Sequence, residues 1–216
     1  MTYAALFQDA CARQLRVLGG FHPQAEDGAP ANCKTLLLLG PDEPGFWPVF
    51  SRSREYQDGL PDPMDRWSRR VIDAWAQTLG AEPLYPFGGP PHQPFYRWAL
   101  KTGRVRASPI NLLVHDHAGL FVSFRGALAF DSHIALPAAP THPCDSCTEQ
   151  PCITACPVSA LTPKGYDVQS CKDHLSHPLG QGCMARGCSA RRACPASQSF
   201  GRLPAQSAFH MAHFLE

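Results

Sequence analysis

The placement of cysteine constrains this chain more than any other feature of it. Eight of its ten cysteines lie between Cys144 and Cys194. The first run, CDSCTEQPCITACP, sets Cys144, Cys147, Cys152 and Cys156-Pro157 in the spacing C-x2-C-x4-C-x3-C-P. A lone Cys171 follows. The second run, CMARGCSARRACP, sets Cys183, Cys188 and Cys194-Pro195 in the looser spacing C-x4-C-x5-C-P. Thiolates are soft ligands that suit zinc and iron–sulfur clusters. A four-iron cube needs four thiolates converging from different directions. A tight C-x2-C loop presents only two or three from one side, so the remaining ligand must return from elsewhere in the chain.

Two other uses of eight cysteines compete with that one. A pair of structural zinc sites would also consume eight thiolates, but zinc has no need of two Cys-Pro closures. A disulfide framework needs an oxidising compartment, and nothing in the chain points to secretion. Met1–Gly20 carries Asp9, Arg13 and Arg16 through its middle, so it lacks the apolar core of a signal peptide. The expectation is a cytoplasmic protein whose thiolates bind metal.

The composition narrows the remaining classes. At 216 residues the chain allows one or two domains with a substantial core. With 19 Lys+Arg against 18 Asp+Glu, no electrostatic case for a nucleic acid or a membrane surface arises. The longest apolar run, Leu36–Leu39, is far too short to span a bilayer. Proline numbers 22, about double the usual ~5%, so much of the chain should be turn and loop.

Along the chain, Tyr3, Leu6, Phe7, Ala10, Cys11, Leu15 and Leu18 recur at helical spacing until Gly19-Gly20, which predicts one amphipathic helix with Cys11 as a small core residue. Thr35–Leu39 reads as a buried strand ending at Gly40-Pro41, with Cys33 just ahead of it and not a ligand. Asp62-Pro63-Met64-Asp65 predicts a helix capped by Asp62, with Met64, Trp67, Val71, Ile72, Trp75 and Leu79 on one face until Gly80. Pro83–Phe87 suggests a short strand and Phe95–Lys101 a short helix. Ile110–Val114 and Leu120–Phe124 read as the two strands of a hairpin turning at His115–Gly119. Pro137–Pro143 is a linker, and Ala208–Leu215 a last helix.

The two Cys-Pro runs resemble the ferredoxin domains that hold two 4Fe–4S clusters, in which the cysteine of each Cys-Pro ligates the other cluster. That resemblance implies one cluster on Cys144, Cys147, Cys152 and Cys194, and a second on Cys171, Cys183, Cys188 and Cys156. Ala99–Gly126 resembles two further groups. One is the epoxyqueuosine reductases, relatives of the reductive dehalogenases, in which a nitroreductase-like cobalamin-binding domain precedes a two-cluster domain; Gly103, Leu113, Gly119 and Phe121 fall at matching positions. The other is the CblC-type cobalamin-processing proteins, whose H-x3-G-x-[FW]-x3-R-G pattern is met by His115, Gly119, Phe121, Arg125 and Gly126.

Where the reductases carry an acidic residue ahead of the helix, this chain has Phe87-Gly88-Gly89-Pro90-Pro91. Their Gly-rich loop after the helix is replaced by Arg104–Ser108. The CblC-type proteins have no cysteine domain. The resemblances together imply an α/β (α+β) architecture. A nitroreductase-like domain over residues 1–136 would precede a ferredoxin-like iron–sulfur domain over 141–200 and a helical tail over 201–216. They imply electron transfer through two clusters to a corrinoid bordered by His115, Gly119, Phe121, Arg125 and Gly126. The alternative is a plain carrier whose first domain docks a donor or acceptor protein, or holds a flavin. His174, three residues after Cys171, stands as a neighbour rather than a ligand. Arg186, Arg191 and Arg192 are candidate hydrogen-bond donors to the sulfur of a cluster.

Overall fold

A computed structural model describes residues 1–215. In chain order its elements are α1 (Tyr3–Cys11), β1 (Leu15–Phe21), β2 (Thr35–Pro41), α2 (Phe46–Phe50), α3 (Arg54–Gln57), α4 (Pro63–Leu79), β3 (Glu82–Leu84) and α5 (Phe95–Lys101). These are followed by β4 (Val105–Ala107), β5 (Leu113–His115), β6 (Gly126–Phe130), β7 (Leu161–Thr162), β8 (Gly165–Tyr166) and α6 (Val168–Ser176). The chain ends with α7 (Gln181–Arg186), α8 (Ser189–Ala193), α9 (Pro195–Gln198) and α10 (Pro204–Leu215). Helix outweighs strand, and the strand pairs are antiparallel, so the protein is α+β. Among the described residues no helix is long and apolar enough to cross a membrane.

The chain forms two compact units. The first comprises residues 1–104 and 123–139, the second 105–122 and 140–216. This division differs from the single first domain over 1–136 expected from the sequence. Residues 105–122 group with the cysteine segment, because β4, β5 and the loop after them supply side chains to its core.

The first unit is built on a sheet of order β1-β2-β6-β3. Every residue of β2 and β6 is buried. A near-continuous apolar strand of this kind fits a central position covered on both faces. The α4 stripe lies against the sheet with Met64, Trp67, Ile72 and Trp75 buried, and Gly80 ends the helix in the left-handed conformation. Gly126 opens β6 where a side chain has no room: a Cβ there would stand 2.7 Å from Ile72 Cδ1 of α4. Phe46, Phe50, Trp47, Tyr56 and Trp67 form an aromatic cluster, with Phe46 edge-on to Trp67 at 5.1 Å between ring centres.

Three local expectations are corrected. The first helix stops at Cys11, because Gln14 takes a positive φ of 60° and Leu15–Phe21 pairs with β2 from Leu15↔Pro41 to Phe21↔Leu36. Leu15 and Leu18 fit either period, and pairing with a buried strand decides between them. Cys11 is accordingly only half-buried. Asp62 adopts φ 52° and makes no side-chain cap; the start of α4 is fastened instead through Arg66, which reaches Asp58 and the Pro61 carbonyl. The hairpin strands are Val105–Ala107 and Leu113–His115, and Leu120–Phe124 forms no strand.

Glu55 is buried on α3 and accepts from Arg70 Nη2 and Arg54 Nε, both at 3.0 Å. The Arg70 bond holds its carboxyl at about 2, against an ordinary value of 4.5. A depressed folded-state pKa stabilises above the unfolded value and loses that effect as pH falls toward the folded one. Stability should therefore drop between pH 4.5 and 2. Glu55→Gln should cost roughly 2 kcal/mol at pH 7, less than the full linkage because both arginines are solvated, and should flatten the acid limb. Urea melts of both proteins at pH 7 and pH 3 measure it.

Candidate metal centres

Cysteines are interleaved with aliphatic side chains in the core of the second unit. Ile110, Val114, Leu120, Cys152, Leu161, Ala190 and Cys194 are buried together, with Leu112, Cys144, Ile153, Cys156, Cys188 and Ala196 packed against them. All ten cysteines of the chain are free thiols. The seven of the two runs and Cys171 fall into two groups, and each group draws one member from the other run.

Cys144, Cys147 and Cys152 share the first group with Cys194. Burial pushes the Cys144 thiol up, and the sulfurs of Cys194, Cys147 and Cys152 push it the same way. Burial likewise raises Cys152, followed by Cys194. The four line one cavity with Val114, Leu120, Pro151 and Pro195, and its atom-free space is about 460 Å³ counting its open mouth. The geometry has local causes. Pro143–Asp145 is a turn of 3₁₀ helix capped by His142, whose Nδ1 accepts from the Cys144 N–H at 3.3 Å. His142 is 1% exposed, and its Nε2 lies 3.2 Å from the Val114 carbonyl of β5, so the ring ties the Cys144 turn to the hairpin. On the far side, Pro195 ends α8 and takes the first position of α9, where a fixed φ and a missing N–H cost nothing. The turn so made aims Cys194 back at the first run.

Cys171, Cys183 and Cys188 share the second group with Cys156. Burial raises the Cys171 thiol; a Tyr166 hydrogen bond lowers it, and Cys188, Cys156 and Cys183 raise it further. Cys171 rides on α6, which Asp167 caps by accepting the Ser170 N–H at 2.9 Å. Cys183 is buried on α7, with its Sγ 3.4 Å from Ser189 Oγ. Cys188 stands at the start of α8. The Ala160 N–H donates to Cys156 Sγ at 3.2 Å.

Like-charged thiolates cannot ionise side by side in an apolar setting without a cation among them. A bound metal centre removes that penalty, because a coordinated thiol is deprotonated outright. Among the described residues no three His, Cys, Asp or Glu side chains are placed to hold one metal ion. Zinc draws its thiolates to about 2.3 Å from a single point, whereas a cube of iron and sulfide keeps them further apart, so that observation concerns the single ion.

The other expected site residues are fully engaged by protein. His115 is 1% exposed and its Nδ1 accepts the His117 and Ala118 N–H groups at 3.0 and 3.1 Å, closing its own turn. Gly119 has φ 56°, and a Cβ there would meet Ser197 N at 2.3 Å. That close approach lets Ser197 Oγ accept the Leu120 N–H at 2.8 Å and fixes α9 behind Cys194. Phe121 lies under the Arg202 guanidinium. Arg125 and Gly126 belong to the first unit, where Arg125 pairs with Asp65 and donates to Ser68 Oγ at 3.0 Å. Spacing alone does not single out His142, Tyr166 or Ser197, and it marks Arg191 only as one arginine among three. His174 stays on α6. No protein-family model matches the chain, and no curated protein or solved structure matches it either.

Gly119→Ala should destabilise the second unit by about 1–3 kcal/mol, since it joins a positive φ to a clash with Ser197 backbone. Thermal melting of the unloaded protein measures it, and an unchanged melt would deny this packing.

Proposed function

We propose that this chain is an iron–sulfur redox protein carrying electrons through two 4Fe–4S clusters. Cys144, Cys147, Cys152 and Cys194 would hold one, and Cys156, Cys171, Cys183 and Cys188 the other. One observation carries the reading: each sulfur group takes one member from the opposite run, and that member is the cysteine of the Cys-Pro. Bound there, the clusters supply one-electron redox centres.

The chain's own residues do the rest. The apolar walls around the first group, Val114, Leu120 and Pro151 among them, limit water at the sulfurs. The Ala160 N–H donates to Cys156 Sγ at 3.2 Å, and bonds of this kind help set the potential of a cluster. Asp145, Ser146 and Thr148–Gln150, the loop that carries Cys147, are exposed. That favours a protein partner giving or taking electrons at this edge.

A corrinoid or a flavin acceptor is not part of the proposal. Around the residues expected to border a corrinoid, a Cβ at Gly119 would meet Ser197 and one at Gly126 would meet Ile72, and Arg125 pairs with Asp65 and donates to Ser68.

Protein purified without air should be brown and contain about eight irons and eight labile sulfides per chain. Metal and sulfide analysis checks this. Stoichiometric zinc without sulfide would overturn the proposal, and about four irons would reduce it to a single cluster.

A further inference from the structure

Cys183 Sγ lies 3.4 Å from Ser189 Oγ across the turn that joins α7 to α8. Three features of the chain hold that hydroxyl in place. Gly187 takes a positive φ of 86° as it carries the chain out of α7, and its N–H donates to the Cys183 carbonyl at 2.8 Å. A Cβ at Gly187 would stand 2.8 Å from Ser207 Cβ, so α10 closes the far side of the turn. Arg192 follows Ser189 by three residues on α8, a spacing that makes them neighbours on one helix face. Its Nε donates to the Gly187 carbonyl and its Nη2 to Ser189 Oγ, both at 3.0 Å. The guanidinium thus spans the turn from its carbonyl to its hydroxyl.

The direction of these bonds follows from what each group can do. A guanidinium donates and never accepts, so Ser189 Oγ is the acceptor from Arg192 and keeps its own proton to give. A metal-bound cysteine sulfur carries no proton. With Cys183 coordinated, the hydroxyl is therefore the donor and Sγ the acceptor. Bonds in such a chain polarise one another, and a positive charge at its head makes the hydroxyl the stronger donor.

We infer that Ser189, oriented and polarised by Arg192, tunes the centre that Cys183 serves by holding a hydrogen bond on its ligand sulfur. The inference rests on the function proposed above and gives that centre a positioning pair that is not part of its ligand set. Arg192, one of three arginines that the sequence offers as donors to cluster sulfur, acts through a serine and not directly. When the centre takes up one electron from a reduced partner protein, negative charge builds on its sulfurs. The hydroxyl stabilises that charge while keeping its proton, and no bond breaks. Hydrogen bonds to sulfur are among the quantities that set a cluster's potential, and this one raises it.

The test is a redox titration of the full chain, purified without air and followed by electron paramagnetic resonance. The centre concerned is the one whose signal changes in Cys183→Ser. Ser189→Ala should keep its iron and lower the step of that centre alone by roughly a tenfold change in the oxidised-to-reduced ratio, about 59 mV for one electron. Ser189→Thr, which restores a hydroxyl, should leave both steps in place. Arg192→Met should lower the same step by less, and the double variant no further than Ser189→Ala, because the arginine acts through the hydroxyl. Ser189→Ala with full iron and both steps unmoved, or both moved equally, overturns the inference and leaves the function reading intact. A double variant lowered by the sum of the two single shifts means that Arg192 acts by itself, which also overturns it. If Ser189→Ala fails to load its clusters, Arg192→Met decides alone: full iron with that step unmoved refutes the relay. A wild type without iron and sulfide overturns both readings.

Discussion

Mutual repulsion among converging thiols is the constraint on which the second unit depends. Its core is small, and it is built from the same cysteines that crowd one another when ionised. A unit of this size has few apolar side chains to spare, and a structural metal is one of the ways small folds make up the deficit. Cys152 and Cys194 are buried among the leucines of this core, and Cys183 is buried as well. On the proposed reading, folding and metal binding would be one problem: the apolar packing brings the sulfurs together, and the charge of a metal centre would allow them to stay ionised there.

The crossing of the two groups explains the parts that surround them. Cys194 can reach the first run only if the chain turns sharply after α8, which Pro195 does, and only if α9 is then held in place. The segment 105–122 does that holding. Gly119 admits the α9 backbone, Ser197 takes the Leu120 N–H, His142 ties the Cys144 turn to Val114, and Asn111 Nδ2 reaches the Pro163 carbonyl at 3.0 Å beside β7. The segment 105–122 is therefore the clamp that holds the cysteine-bearing turns of the second unit. His115, which a resemblance put in a cofactor cavity, is spent on closing the clamp's turn.

The sequence made some of this legible and hid the rest for identifiable reasons. The buried run of β2 and the stripe of α4 are local signals, and each corresponds to an observed element. Leu15 and Leu18 satisfy both a helical and an extended pattern, so only pairing with β2, settled by residues more than twenty positions away, could separate them. Asp62 had the residue type of a cap but not the backbone conformation. His142, Arg191 and Ser197 act through partners 28, 71 and 77 residues distant, and nothing in their neighbourhood along the chain marks them. The grouping of 105–122 with the cysteines was hidden for the same reason, since an excursion from one unit into another leaves no compositional edge.

Reciprocal variants of the two Cys-Pro cysteines test the crossed arrangement most directly. Electron paramagnetic resonance of anaerobically reduced Cys194→Ser and Cys156→Ser proteins, each compared with the wild type, would separate the two centres. The crossed arrangement predicts that Cys194→Ser alters the centre of Cys144, Cys147 and Cys152 and spares the other, while Cys156→Ser alters the centre of Cys171, Cys183 and Cys188. The opposite pattern, with each variant damaging the centre of its own run, would contradict it.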